Sequence, residues 1–228
     1  MPISGLKQLQ TEVTAPLLIT NPQDLFYLTG RFFGDGGYLL ITKKDRILLG
    51  GYLEDTKGIK TDSFKNIKKH LGRTPELLLD ESTSIKKMAQ IKQFLPGVKI
   101  RPIISPVKEL RLIKNSDQLG KMKQAYSITA EVFGEVKKAL KKKVYTELEL
   151  ARFIKLIGIG LGADDISFPV IVASGYNAAV PHHVPTNKPL KTGESIVLDF
   201  GFKIDGYCSD FTRTIFLKKV SPRLKEMY

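Results

Sequence analysis

Short apolar runs and helical stripes alternate along the first hundred residues. Leu17-Leu18-Ile19, Tyr38-Leu39-Leu40-Ile41, Ile47-Leu48-Leu49, Glu76-Leu77-Leu78-Leu79 and Val98-Lys99-Ile100 each read as a strand. Between the last two, Ile85, Met88, Ile91 and Phe94 recur at three-residue spacing. That spacing puts them on one helix face, and Pro96-Gly97 ends the helix. Strands alternating with helices predict an α/β layer domain. Two prolines in the stretch Arg101-Pro102-Ile103-Ile104-Ser105-Pro106 interrupt the pattern. A domain boundary is expected there, dividing the chain into residues 1–107 and 108–228.

The second half opens with helices. Asn115 and Gln118 have the spacing of a capping box, in which each side chain satisfies a first-turn or cap amide. Leu119, Met122, Tyr126, Phe133, Val136 and Leu140 follow at spacings close to 3.6 and predict the buried stripe of a long helix. Thr146 and Glu149 repeat the cap signal, and the helix they begin runs to the glycine-rich stretch 158–162. After residue 166 the chain changes to strands and loops. Phe168-Pro169-Val170-Ile171-Val172 is a strand candidate, Ser174-Gly175-Tyr176-Asn177 a turn, and 187–193 a loop.

Two alternating runs follow, Ile196 to Lys203 and Tyr207 to Leu217, separated by Asp205-Gly206. That dipeptide between apolar runs predicts a two-residue hairpin turn. Ile204 then faces Tyr207, and the numbers of paired residues sum to 411. Asp199 falls opposite Thr212, and Asp210, two residues before Thr212, shares its face. The two carboxylates become diagonal neighbours with backbones ~7–8 Å apart. Leu198, Phe200 and Phe211 point the other way and can anchor the hairpin in a core. Side chains of this reach can converge on two metal ions ~3.5–4 Å apart. They can equally sit on an exposed sheet face, although aspartate is depleted in strand interiors and two on one face repel.

Composition narrows the setting. The chain has 228 residues, 42% of them hydrophobic and 26% charged, a balance that can build a core and excludes a disordered chain. No apolar run approaches the ~20 residues of a membrane-spanning helix, and the N-terminus has no leader pattern, so the expected compartment is the cytoplasm. The single cysteine, Cys208, excludes an internal disulfide and fits a reducing environment. The formal net charge is +13, but the lysines are spread along the chain. Their densest cluster, Lys137 to Lys143, falls where a helix ends and cations favour its dipole. Aromatic residues do not interleave with the lysines, which favours a solvated surface over a nucleic-acid site.

A second constellation precedes the hairpin. His182 and His183 follow Pro181 in a loop and are two of only three histidines. Such a pair is most often merely solvated; a neutral imidazole can also donate to a developing oxyanion or bind a ligand.

The stretch Ile171-Val172-Ala173-Ser174-Gly175-Tyr176-Asn177-Ala178-Ala179-Val180-Pro181-His182-His183-Val184-Pro185-Thr186 resembles the proline-peptidase branch of the pita-bread metallopeptidases, which comprises aminopeptidase P, prolidase and creatinase. So do Leu198-Asp199-Phe200-Gly201 and the run from Asp205-Gly206 to Asp210-Phe211-Thr212-Arg213-Thr214. Leu110-Arg111-Leu112-Ile113-Lys114 is similar to the family's domain junction, and Asn21 to Gly30 to the start of its N-terminal domain. The resemblance implies a creatinase-like α/β N-terminal domain followed by the first part of an α+β pita-bread catalytic domain.

It also implies an Xaa-Pro aminopeptidase or dipeptidase with two divalent metal ions, manganese first and cobalt or zinc as alternatives. The substrate would be a peptide with proline at the second position, and the complete enzyme would be a homodimer. Asp199 would bind one metal through both oxygens, Asp210 would bridge the two, and His182 would be the catalytic histidine; His183 receives no role. The family needs a further histidine and two glutamates downstream of the hairpin. The resemblance therefore implies a C-terminally truncated member that is inactive alone, since two carboxylates cannot supply the roughly six ligands a hard cation takes. The alternatives are a non-catalytic pita-bread binding module, and a creatinase-like hydrolase of a small non-peptide substrate.

Overall fold

A computed structural model describes residues 3–50, 59–218 and 220–227 of the chain. It divides into two compact units, Met1–Ile113 and Lys114–Tyr228. The first unit runs α1 (Ile3–Glu12), β1 (Leu17–Ile19), α2 (Pro22–Thr29), β2 (Tyr38–Ile41), β3 (Arg46–Leu49), β4 (Lys60–Asp62), α3 (Ile67–Leu71), β5 (Glu76–Asp80), α4 (Ile85–Phe94), β6 (Lys99–Ile103) and α5 (Val107–Leu112). Its mixed sheet has the order β4-β3-β2-β1-β5-β6. Strands β1, β5 and β6 are parallel neighbours, and β1-β2 and β2-β3 are antiparallel.

Alternate residues of the same strands enter two separate cores. Leu17, Ile19, Leu39, Ile41 and Leu78 pack with Leu9, Leu25, Leu28 and Val107 on one face. Leu18, Leu40, Leu77 and Leu79 pack with Ile67, Leu71, Ile91 and Leu95 on the other. Helices cover both faces, which is why these strands read as continuous apolar runs instead of alternating ones.

Three sequence expectations change here. Strand β6 continues through Pro102 to Ile103, because it is an edge strand and its missing N–H breaks no ladder. Ile85 opens α4 but is exposed; the helix buries Ile91, and Leu95 just beyond its end. Helix α5 joins the first unit: Val107 is fully buried, the Tyr27 hydroxyl donates to the Leu110 carbonyl at 3.0 Å, and Arg111 pairs with buried Asp24 at 2.7 Å. The compact unit therefore runs to Ile113, six residues past the expected boundary.

The second unit contains α6 (Ser116–Lys142), α7 (Glu147–Gly160), β7 (Asp165–Ile166), β8 (Ile171–Ser174), β9 (Ser195–Phe200), β10 (Phe202–Ile204), β11 (Tyr207–Cys208), β12 (Phe211–Phe216) and α8 (Pro222–Met227). Both capping boxes form, Asn115 with Gln118 and Thr146 with Glu149. The buried stripe of α6 is rotated from the expected one. It consists of Gln118, Ala125, Thr129, Val132, Val136 and Ala139, while Leu119 and Tyr126 are exposed. Small residues let the helix lie close to β10 and β11, a contact that bulky side chains would prevent. The same closeness recurs at Gly158 of α7, where an added Cβ would lie 1.9 Å from the Phe202 ring.

The described residues of this unit form two three-stranded sheets, β12-β9-β8 and β11-β10-β7. Strand β8 starts at Ile171, two residues past Pro169, whose ring nitrogen cannot join the ladder. Leu198, Phe200 and Phe211 enter a core with Val132, Val136, Leu150, Ile154 and Phe202. Among the described residues, no helix is long and apolar enough to cross a membrane.

Candidate functional site

The hairpin forms in the expected register. Ile204 pairs with Tyr207 and Lys203 with Cys208; farther along, Phe200 pairs with Phe211 and Asp199 with Thr212. Asp205 and Gly206 have φ of 47° and 81°, the positive pair that a type I′ turn requires. The two long runs nevertheless break at one level. Gly201 separates β9 from β10, and Ser209-Asp210 separate β11 from β12.

Packing explains the break. A Cβ on Gly201 would lie 2.0 Å from the Ser209 carbonyl oxygen, so only glycine permits this approach. The Phe202 amide donates to the Ser209 hydroxyl at 2.9 Å. The Thr129 hydroxyl donates to the Ala125 carbonyl at 2.9 Å, and the Thr129 and Ser209 hydroxyls meet at 2.6 Å. This buried relay ties the hairpin to α6 at the residue before Asp210.

Asp199 lies at the end of the central strand β9, half-buried between the buried Leu198 and Phe200. Its Oδ1 accepts from the Thr212 hydroxyl at 2.8 Å. Asp210 is exposed and makes no hydrogen bond or ion pair with the described residues. Arg213 sets its guanidinium over the Phe211 ring at 4.0 Å and donates to the Thr212 carbonyl at 2.7 Å. Among the described residues, no cation pairs with either carboxylate.

Among the described residues, no three of His, Cys, Asp and Glu gather closely enough to hold a metal ion. Asp199 and Asp210 supply the oxygen chemistry that hard divalent cations take, but two donors do not make a site. A bound metal pair does not fit the donors among the described residues alone.

His182 lies on the connection from β8 to β9, exposed, and no hydrogen bond links it to either aspartate. Its neighbour His183 turns inward, and Nε2 meets Oε2 of Glu147 at 2.9 Å. Glu147 is fully buried and accepts from six donors. They are the Ser174 amide and hydroxyl, both at 2.8 Å, the Asn177 amide nitrogen at 2.9 Å, His183, and the Thr186 amide and hydroxyl at 3.2 and 2.8 Å. Burial pushes its carboxyl up, but the bonds from Asn177, His183, Ser174 and Thr186 outweigh this and hold it at about 2. Sequence reasoning missed Glu147, which reads as an ordinary first-turn acid. The available signal was redundancy, because Glu149 already closes the capping box and leaves Glu147 without a task there.

Residues 6–113 match the creatinase/prolidase N-terminal domain, and residues 120–228 match metallopeptidase family M24. An uncharacterised peptidase of Bacillus subtilis is 30% identical, over 93% of this chain and 64% of its own length. An Xaa-Pro dipeptidase of Pyrococcus horikoshii is 28% identical, over 96% of this chain and 64% of its own. Among solved structures, an Xaa-Pro dipeptidase from Bacillus anthracis superposes with a TM-score of 0.89 at 27% identity, covering 99% of this chain and 68% of that one. The chain spans about 64% of the length of the curated relatives it matches.

Proposed function

This chain belongs to metallopeptidase family M24, with a creatinase/prolidase N-terminal domain ahead of the M24 residues, and on that premise we propose that the complete protein hydrolyses Xaa-Pro peptides at a dinuclear metal site. The observation that carries this reading is the pair Asp199 and Asp210, on one hairpin and paired with no cation among the described residues. Two relatives described as Xaa-Pro dipeptidases support the substrate class. In this reading Asp199 and Asp210 contribute to the ligand set, manganese is the first metal to try, and residues beyond this chain contribute the remaining ligands. The metals would supply Lewis acidity and an activated water. His182, exposed and apart from the carboxylates, would donate a proton-bearing nitrogen to the oxygen that gains charge as the scissile carbonyl becomes tetrahedral.

The chain by itself binds Mn2+ weakly and leaves Ala-Pro and Ala-Pro-Ala intact. The test is hydrolysis of both peptides by the purified chain with Mn2+, before and after addition of the missing ligands by fusion or as a second chain. Chelator-sensitive hydrolysis by the chain alone would overturn the incomplete site. Turnover of a small guanidino compound but neither peptide, once completed, would overturn the substrate class in favour of a creatinase-like reaction.

A further inference from the structure

We propose that Glu147 is the positioning residue for His182: its buried side chain fixes the connection between β8 and β9 and so holds His182 where it can act on substrate. This rests on the reading of His182 as catalytic. Every donor to Glu147, namely Ser174, Asn177, His183 and Thr186, belongs to the end of β8 or to that connection. The connection also binds the start of α7 through its backbone. The Glu147 amide donates to the Lys188 carbonyl at 3.0 Å and the Leu148 amide to that of Thr186 at 2.9 Å.

Apolar burial does not hold the part that carries His182. Tyr176, Val180 and Val184, the larger apolar side chains of residues 175–186, are all exposed, whereas Leu190, nearer β9, is buried in the core. Glu147 is therefore the point around which the segment is ordered, and it grips on both sides of His182, through Asn177 before it and His183 and Thr186 after it. Lys188 adds an outer clamp, donating to the Ser174 hydroxyl at 2.7 Å and to Glu194 at 2.7 Å.

The arrangement divides the two adjacent histidines. His183 spends its Nε2–H on Glu147, because an ionised carboxylate only accepts. Its inward position leaves His182 outside with an uncommitted ring. A neutral amide in place of Glu147 would set an NH2 group against a ring of donors and release part of the grip.

The experiment uses Glu147→Gln, His183→Phe and His183→Gln, the last retaining an N–H near the place of Nε2. In the purified chain, amide exchange over residues 175–187 and the ring resonances of His182 are followed. Glu147→Gln and His183→Phe should each speed exchange in that segment about tenfold or more and shift the His182 signals, with α6 and β9 unchanged. His183→Gln should return both readouts towards wild type. In the completed enzyme, Glu147→Gln should lower kcat about 10- to 100-fold with KM and metal content held, as expected for a misplaced group.

Unchanged exchange in 175–187 and unchanged His182 signals would overturn the proposal, as would kcat falling only together with metal content. Should Glu147→Gln not fold, the two His183 variants decide. A completed wild-type enzyme without Xaa-Pro activity would refute the functional reading alone, since exchange and His182 resonances test the anchor without turnover.

Discussion

The second unit treats its two carboxylate sites in opposite ways. Glu147 is removed from water and given six donors by its own chain, whereas Asp199 receives one hydroxyl and Asp210 receives nothing from the described residues. Burial of a charge is tolerated only when it is met by donors or partners, so the Glu147 site is closed, with no valence left for a ligand. Asp199 and Asp210 lie on one hairpin, and neither forms an ion pair with a described residue. A saturated carboxylate organises the fold; the hairpin pair keeps acceptor capacity free, which the proposed metal site would use.

The largest effect should come from the unsatisfied pair in a completed enzyme. Asp210→Asn should abolish activity and lower metal content, measured by peptide turnover and metal analysis. His182→Ala should cost about 10²–10³ in turnover with the metals retained. Metals stripped by the histidine change but kept at full occupancy by Asp210→Asn would reverse the assigned roles.

Next in size is the closed site. Glu147→Ala should destabilise the second unit by about 3–5 kcal/mol, because several buried donors lose their acceptor together. Urea unfolding of the purified chain, followed by a probe in that unit, measures it, and a loss within experimental error would mean water replaces the carboxylate at little cost.

Acid provides a finer cut. The folded-state pKa of Glu147, about 2, lies below its ordinary value of 4.5. The stability it contributes is therefore complete above pH 4.5 and is lost as pH falls towards 2. His183 is the titratable group that faces it directly, and Lys188 faces it through Ser174. The stability gap between wild type and Glu147→Gln should narrow through that window and stay flat from pH 5 to 6. The smallest effect belongs to Asp210→Ala in the chain alone, within about 0.5 kcal/mol of wild type. A clear loss there would mean that the carboxylate has a partner inside the fold and would erase the contrast between the two sites.

What could be read in the sequence follows the range of the forces involved. The turn at Asp205-Gly206 is local chemistry, and once it is placed every pair out to Ser195–Phe216 follows from counting. The partners of each capping box lie three positions apart and were equally legible. The stripe of α6 was not, because the contact is chosen by smallness. Ala125 and Thr129 carry no strong hydrophobic signal, and Leu119 and Tyr126, which do, point elsewhere. Strand β4, Lys-Thr-Asp, has no apolar residue to announce it. Glu147 lies 27 to 39 residues from its partners, and nothing in its neighbourhood foretells that Ser174, Asn177, His183 and Thr186 converge on it.

The constant register of the hairpin also bears on the order in which the molecule assembles. Its contacts close outward from a two-residue turn, so each new pair adds only a short loop, and hairpins of this kind form in about 1–10 μs. The grip of Glu147 must gather chain from up to 39 residues away and loses more entropy before its first bond is made. The nascent chain should therefore set the spacing of Asp199 and Asp210 early and order the segment bearing His182 late.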